Sequence, residues 1–120
     1  MVCILVVEDE DDIRALIAEV LDEAGFTVIE AGSADAAVPL LDREGVRLII
    51  TDIDMPGRLD GVGLALEARR VHPEIPVIFI TGEPRLLPEP GALGDPVLCL
   101  LKPFPLSALL SNIDRLKVSA

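Results

Sequence analysis

The chain contains no tryptophan, no tyrosine and three phenylalanines among its 120 residues. Without aromatic bulk the core must be assembled mainly from Val, Ile, Leu and Ala, a palette that suits a parallel sheet sandwiched between helices. Cysteine is also scarce. Cys3 and Cys99 belong to no CxxC pair and have no metal-ligand spacing to the single histidine, His72, which argues against a disulfide framework or a zinc knot. Both are expected to be small apolar fillers in a reducing compartment. Long apolar runs are missing as well: Val2–Val7 and Val97–Leu101 fall far short of the ~20 residues of a membrane span. The N-terminus lacks the positive region of a signal peptide, so a cytoplasmic protein with no membrane partner is expected. Positive charge is the last deficit, with 10 Lys and Arg against 21 Asp and Glu and a net charge of −11. A field of that sign disfavours nucleic acid and anionic lipid, and favours basic, metallic or cationic partners.

What remains is enough for one domain. A chain of this length buries roughly two thirds of its unfolded surface and needs no covalent staple. Short apolar runs at Val2–Val7, Thr27–Glu30, Leu48–Thr51, Val77–Thr81 and Val97–Leu101 read as buried strands. Helical periodicity lies between them. Ile13, Leu16, Ile17, Val20 and Leu21 form one stripe, closed by Gly25. Ser33 caps a second helix directed toward Arg43, with Pro39 placed to kink or loosen it. Asp60-Gly61 opens a third over Val62–Val71, and Leu106, Leu109, Leu110, Ile113 and Leu116 mark a last one. The alternation implies a doubly wound α/β fold, a five-stranded parallel sheet with helices on both faces and sites outside the carboxyl ends of the strands.

Those ends carry chemistry. Glu8 and Asp9 follow the first strand, Asp52 and Asp54 the third, Thr81 and Gly82 the fourth, and Lys102 the fifth. Seen singly, an acidic run before a helix is a solvated cap, and a lone Thr or Lys at a strand end has no role. Convergence on one edge changes that reading. Two unit charges ~4 Å apart interact by about 4 kcal/mol at an effective dielectric of 20, so crowded carboxylates need compensation. Hard oxygen donors suit Mg²⁺, which keeps several waters and is commonly shared with a phosphate. Lys102 and the Thr81 hydroxyl are placed to hold phosphate oxygens opposite the metal.

Four segments, ILVVED at Ile4–Asp9, LIITDIDMPGRLDG at Leu48–Gly61, PVIFITG at Pro76–Gly82 and LLKPF at Leu100–Phe104, together resemble the receiver domains of two-component response regulators, in order and spacing, over nearly the whole chain. The resemblance implies a flavodoxin-like sheet of order 2-1-3-4-5. It implies Asp52 as phosphoacceptor, taking a phosphoryl group from a histidine of a sensor kinase or histidine phosphotransfer protein. Asp9, Asp52 and the Asp54 carbonyl would bind Mg²⁺ directly, and Glu8 through a water. Thr81, the Gly82 amide and Lys102 would hold the phosphoryl oxygens, and the Lys102–Pro103 peptide would be cis. Such a domain is a switch with only self-directed phosphotransfer and autodephosphorylation, not an enzyme with a separate substrate. Met1 and the short tail favour a stand-alone receiver over residues 1–120 with no effector domain, monomeric or weakly dimeric and acting on an unknown protein target. A receiver taken from a hybrid kinase or longer regulator is the alternative.

Departures from the family pattern are local. Cys99 replaces the aromatic residue usual three positions before the lysine, so readout by ring rotation is in doubt. Glu8 stands where many receivers have Asp. Asp54 and Glu83 add acids beside the path of the hydrolytic water. Pro105 replaces a helix cap. The segment EPRLLPEPGALGDP, Glu83–Pro96, holds four prolines and two glycines in fourteen residues, where receivers carry their fourth helix. Pro84 can start a turn, but Pro88, Pro90 and Pro96 forbid a long helix. A short helix or Pro-rich loop is therefore expected on what is usually the output face. Two rivals are weaker. Asp52-Ile53-Asp54 resembles the nucleophile motif of haloacid-dehalogenase-type phosphatases, but follows the third strand instead of the first. A flavin or nucleotide carrier of the same fold class would need a Gly-rich phosphate loop that is missing.

Overall fold

A computed structural model describes residues 2–43, 45–89 and 91–119; the expectations attached to Met1 and Pro90 lie outside the described residues. Five strands, β1 (Cys3–Val7), β2 (Thr27–Ala31), β3 (Val46–Asp52), β4 (Val77–Thr81) and β5 (Val97–Leu101), alternate with helices α1 (Asp11–Glu23), α2 (Ala34–Ala37), α3 (Gly61–Val71) and α4 (Leu106–Arg115). All pairings are parallel, in the order β2-β1-β3-β4-β5. Register matters for function. Val7 pairs with Ala31 and Thr51, Asp52 with Ile80, and Thr81 with Leu101, so the carboxyl ends finish nearly level.

One face of the sheet is closed by α1 and α4. Ile17, Leu21, Leu109 and Ile113 pack on Ile4, Val6, Leu48, Ile50, Ile78 and Ile80. Helix α1 stops where Gly25 adopts φ 97°, with its N–H donating to the Asp22 carbonyl at 3.0 Å, a conformation that glycine adopts without the Cβ penalty. On the opposite face Ala34 and Ala37 of α2 and Leu64 and Ala68 of α3 cover Leu5, Val7 and Ile49. Beside them, Ala65 meets Val77 and Phe79, together with Leu86, Leu87 and Leu93 of the β4–β5 connection.

Three expectations need correction. The helix expected to run from Ser33 toward Arg43 is α-helical only to Ala37, then tightens into a 3₁₀ turn over Val38–Leu40. The Ser33 hydroxyl does cap it, accepting from the Ala36 N–H at 3.0 Å. Pro39 has no N–H to continue the ladder. Strands β1 and β4 are wholly buried, but the edge strands β2 and β5 are not. Cys99, expected as an apolar filler, is exposed, whereas Cys3 is buried in the core. Parity explains the difference along β5. Leu98 and Leu100 pack on the α1 and α4 side; on the other face Val97 packs on the cluster of Ala65, Val77 and Phe79, while Cys99 and Leu101 are exposed.

The β4–β5 connection is the reason. Its only helical turn among the described residues is 3₁₀, Pro84–Leu86, followed by isolated turns closed by Ala92 N–H to Glu89 O and Gly94 N–H to Gly91 O. The chain is nonetheless anchored. The Arg69 guanidinium, on α3, donates to the carbonyls of Ile75 (2.9 Å), Leu93 (2.6 Å) and Pro96 (3.0 Å), the last two within this connection. The Lys102–Pro103 peptide is cis, as is Asp95–Pro96.

Candidate functional site

Each site residue is held by its element's end. Asp52 closes β3 and is 7% exposed. Its Oδ1 accepts the Ile53 N–H at 2.7 Å, which orients the carboxylate, and its Oδ2 accepts from Lys102 Nζ at 2.9 Å. Helix α3 presses on the same strand end. The Gly61 N–H donates to the Ile53 carbonyl at 2.8 Å, and a Cβ at Gly61 would overlap the Asp52 carbonyl. Gly61 is thus the residue that lets the helix start against the phosphoacceptor candidate. Asp60 caps that start, accepting from Gly63 N–H at 2.8 Å.

Glu8, just past β1, is fully buried, and its two carboxylate oxygens accept from Lys102 Nζ at 3.0 and 3.2 Å. One lysine therefore bridges two buried carboxylates. The resulting charges are not balanced. Glu8, Asp9 and Asp52 each offer an oxygen within 4.8 Å of the others, three potential negative charges against one ammonium. Burial pushes the Glu8 carboxyl up to about 7; the Lys102 hydrogen bond opposes this and Asp52 repulsion adds to it. For Lys102, burial disfavours the ammonium, but the hydrogen bonds and charges of Asp52 and Glu8 outweigh it and raise its pKa. A surplus of hard anionic oxygen donors around one half-buried ammonium is the donor set that a small divalent cation fits.

Other predicted residues lie nearby with different partners. The Thr81 side chain, at the end of β4 and 1% exposed, accepts from the Glu83 N–H at 3.0 Å. Gly82 has open space on its side-chain aspect. Asp54 is exposed and lies outside the three-carboxylate group; the role the resemblance implies for it runs through its backbone carbonyl. Although Cys99 is exposed as a residue, partial desolvation of its thiol raises the pKa, which keeps the thiol protonated.

Sequence reasoning missed two residues that shape this edge. Asp35, on α2, accepts from the N–H groups of Arg58 (2.8 Å) and Leu59 (3.0 Å), fixing the loop after Asp52. A Cβ at Gly57, where φ is 125°, would strike that carboxylate. Arg14, on α1, donates to the Glu8 carbonyl at 2.7 Å. An Asp at the start of a helix reads as a helix-end charge, and an Arg as a solvated face; neither partner is visible without the fold.

The level strand ends thus bring the carboxylate group and the bridging lysine together at one edge of the sheet. Residues 4–114 match the response regulator receiver domain family, and the chain belongs to it. It is 34% identical over 119 residues to the response regulator receiver protein CpdR of Brucella abortus (strain 2308), covering 98% of each chain. The receiver domain of NtrX from Brucella abortus superposes with a TM-score of 0.84 at 36% identity, covering 97% of this chain and 99% of that one. The receiver domain of the hybrid histidine kinase CckA gives a TM-score of 0.79 at 33% identity, covering 94% of this chain and 96% of that one. The match spans 12% of the length of the sensor kinase CckA of Brucella abortus. As a receiver, the chain is a phosphoacceptor in two-component signalling, a switch and not a classical enzyme. Among the described residues no helix is long and apolar enough to cross a membrane.

Proposed function

We propose that Asp52 is the phosphoacceptor, that Mg²⁺ is held by Asp9 and Asp52 with the Asp54 carbonyl and, through water, Glu8, and that the phosphoryl donor is a histidine of a cytoplasmic sensor kinase or histidine phosphotransfer protein. The observation that carries this reading is the direct bridge from Lys102 to both Asp52 and Glu8 at 2.9 to 3.2 Å, which places a fixed cation beside the candidate nucleophile. When bound, Mg²⁺ supplies charge neutralisation for the phosphoryl oxygens. A carboxylate oxygen of Asp52, its plane set by the Ile53 N–H, attacks phosphorus. The bond from phosphorus to the partner's imidazole breaks, and its electron pair leaves with the imidazole. Lys102 stays beside the new acyl phosphate, while the Thr81 hydroxyl releases the Glu83 N–H and turns to a phosphoryl oxygen. Positioning and electrostatics carry such a transfer, with little covalent work for the protein.

Loss of the group by attack of water returns the carboxylate and inorganic phosphate, an autodephosphorylation on which Asp54 and Glu83 act from the rim. The switched state acts by protein contact, as a monomer or weak dimer. CckA combines a receiver with a histidine kinase in one chain, so a receiver embedded in a longer protein is equally compatible with this chemistry.

The test is intact-mass measurement after incubation with a small acyl-phosphate donor and Mg²⁺. One phosphoryl group is expected on the native protein and none on Asp52→Asn. Uptake by Asp52→Asn would reassign the acceptor.

A further inference from the structure

The acidic run that follows β1 contains more carboxylates than the site uses, and Arg14 accounts for one of the remainder. Its guanidinium is engaged on three sides: one terminal nitrogen donates to the Glu8 carbonyl at 2.7 Å, the other to Asp11 Oδ1 at 2.7 Å, and Nε lies 3.4 Å from Glu30 Oε1. The side chain is 19% exposed, whereas Asp11 and Glu30 are 86% and 46% exposed. Arg14 thereby joins three pieces of chain at the sheet edge: the turn after β1, the first turn of α1 and the end of β2. Gly32, beyond β2, has its Cβ position 3.4 Å from the same guanidinium, so the packing around the fork is close.

We infer that Arg14 is a positioning residue for the cation site. By holding the Glu8 carbonyl outward, it fixes the backbone from which the Glu8 and Asp9 side chains reach the site. Asp11 and Glu30 serve to hold Arg14 and are not ligands. A planar fork with several donors can satisfy three acceptors at once; an ammonium on a flexible stem cannot. The inference rests on the proposed Mg²⁺ site, but electrostatics and positioning make opposite demands on it. Arg14 is a cation close to the acidic group, so if charge were its only influence, removing it would tighten Mg²⁺ binding. If it positions the backbone, removing it weakens binding, and keeping the charge as lysine does not repair the loss.

Calorimetric titration of metal-free protein with Mg²⁺ separates these cases, alongside thermal melts in chelator to establish that each variant is folded. Arg14→Ala and Arg14→Lys are both expected to weaken Mg²⁺ binding roughly tenfold, the range in which groups that orient metal ligands act. Tighter binding by Arg14→Ala, or native affinity in a folded Arg14→Lys, would overturn the inference. If Arg14→Ala fails to fold, Arg14→Lys decides alone. Native protein that takes up no Mg²⁺, or Asp9→Asn that binds as well as native, would instead defeat the proposed site.

Discussion

The two faces of the sheet meet the same requirement by different means. On one, α1 and α4 lay unbroken apolar stripes over the strands. On the other, α3 is the one long helix among the described residues, α2 ends after four residues, and the β4–β5 connection passes in turns. The second face is held at its far end by hydrogen bonds from Arg69 to backbone carbonyls in place of a packed helix. The difference teaches that helix periodicity and proline placement decide cover locally, face by face. It also explains why Cys99 and Leu101 are exposed while Leu98 and Leu100, in the same strand, join the core cluster. Among the described residues, no α-helix lies between β4 and β5, and position 99 carries a cysteine in place of an aromatic ring.

Truncating the closed face should have the largest effect. Leu109 of α4 is fully buried, and Leu109→Ala is expected to lower the unfolding free energy by about 4 kcal/mol, as measured by urea denaturation. A loss below about 1 kcal/mol would mean that α4 contributes little to closing that face.

The carboxyl edge, where the faces meet, supplies a pH test independent of either. Glu8 keeps its proton to about pH 7 in the folded state, against 4.5 for the ordinary carboxyl. Between those values the native state binds more protons than the unfolded chain, so stability in chelator should fall as pH rises from about 4.5 to 7. The Glu8 contribution is on the order of 3 kcal/mol. Glu8→Gln should flatten this fall; an unchanged slope in that variant would assign it to other groups.

Breaking the anchor of the open face ranks next. Arg69→Ala removes the guanidinium donor from the carbonyls of Ile75, Leu93 and Pro96, the last of which keeps the Val77 N–H, and is expected to cost about 2 kcal/mol. Limited proteolysis should then cut within residues 83–96 faster than in the native protein. Arg69→Lys should not restore protection, since one ammonium cannot reproduce the fork. Equal resistance in Arg69→Ala would show that the turns hold themselves. The smallest effect belongs to Leu101, 49% exposed: Leu101→Ala should change stability by less than about 0.5 kcal/mol. The contrast between the two leucine variants is the direct measure of how differently the faces are covered.

Much of this was legible in the chain. The bounds of β4 and β5 coincide with their apolar runs because Pro and Gly interrupt the sequence on both sides. Pro39 and the proline-rich segment announced where helices would fail. The residues at the strand ends were identifiable since a parallel sheet delivers them to one edge. Asp35, Arg14 and Arg69 were not, because each acts on backbone groups supplied by another element. Asp35 reaches 23 and 24 residues along the chain, and Arg69 reaches 24 and 27. Periodicity shows which face a residue occupies but not which carbonyl or amide it meets.

From the sequence alone came the order of strands and helices, the lack of a long helix between β4 and β5 among the described residues and the set of groups delivered to the carboxyl edge. These follow from local rules: the period of apolar residues, the missing N–H of proline and the handedness of parallel crossovers. Tertiary structure alone decided the partners. Lys102 meets Glu8 across 94 residues and Asp52 across 50, and Cys99 faces outward though its sequence neighbours resemble core. Such outcomes depend on sheet register and on what covers each face, quantities that exist only once distant segments have packed together.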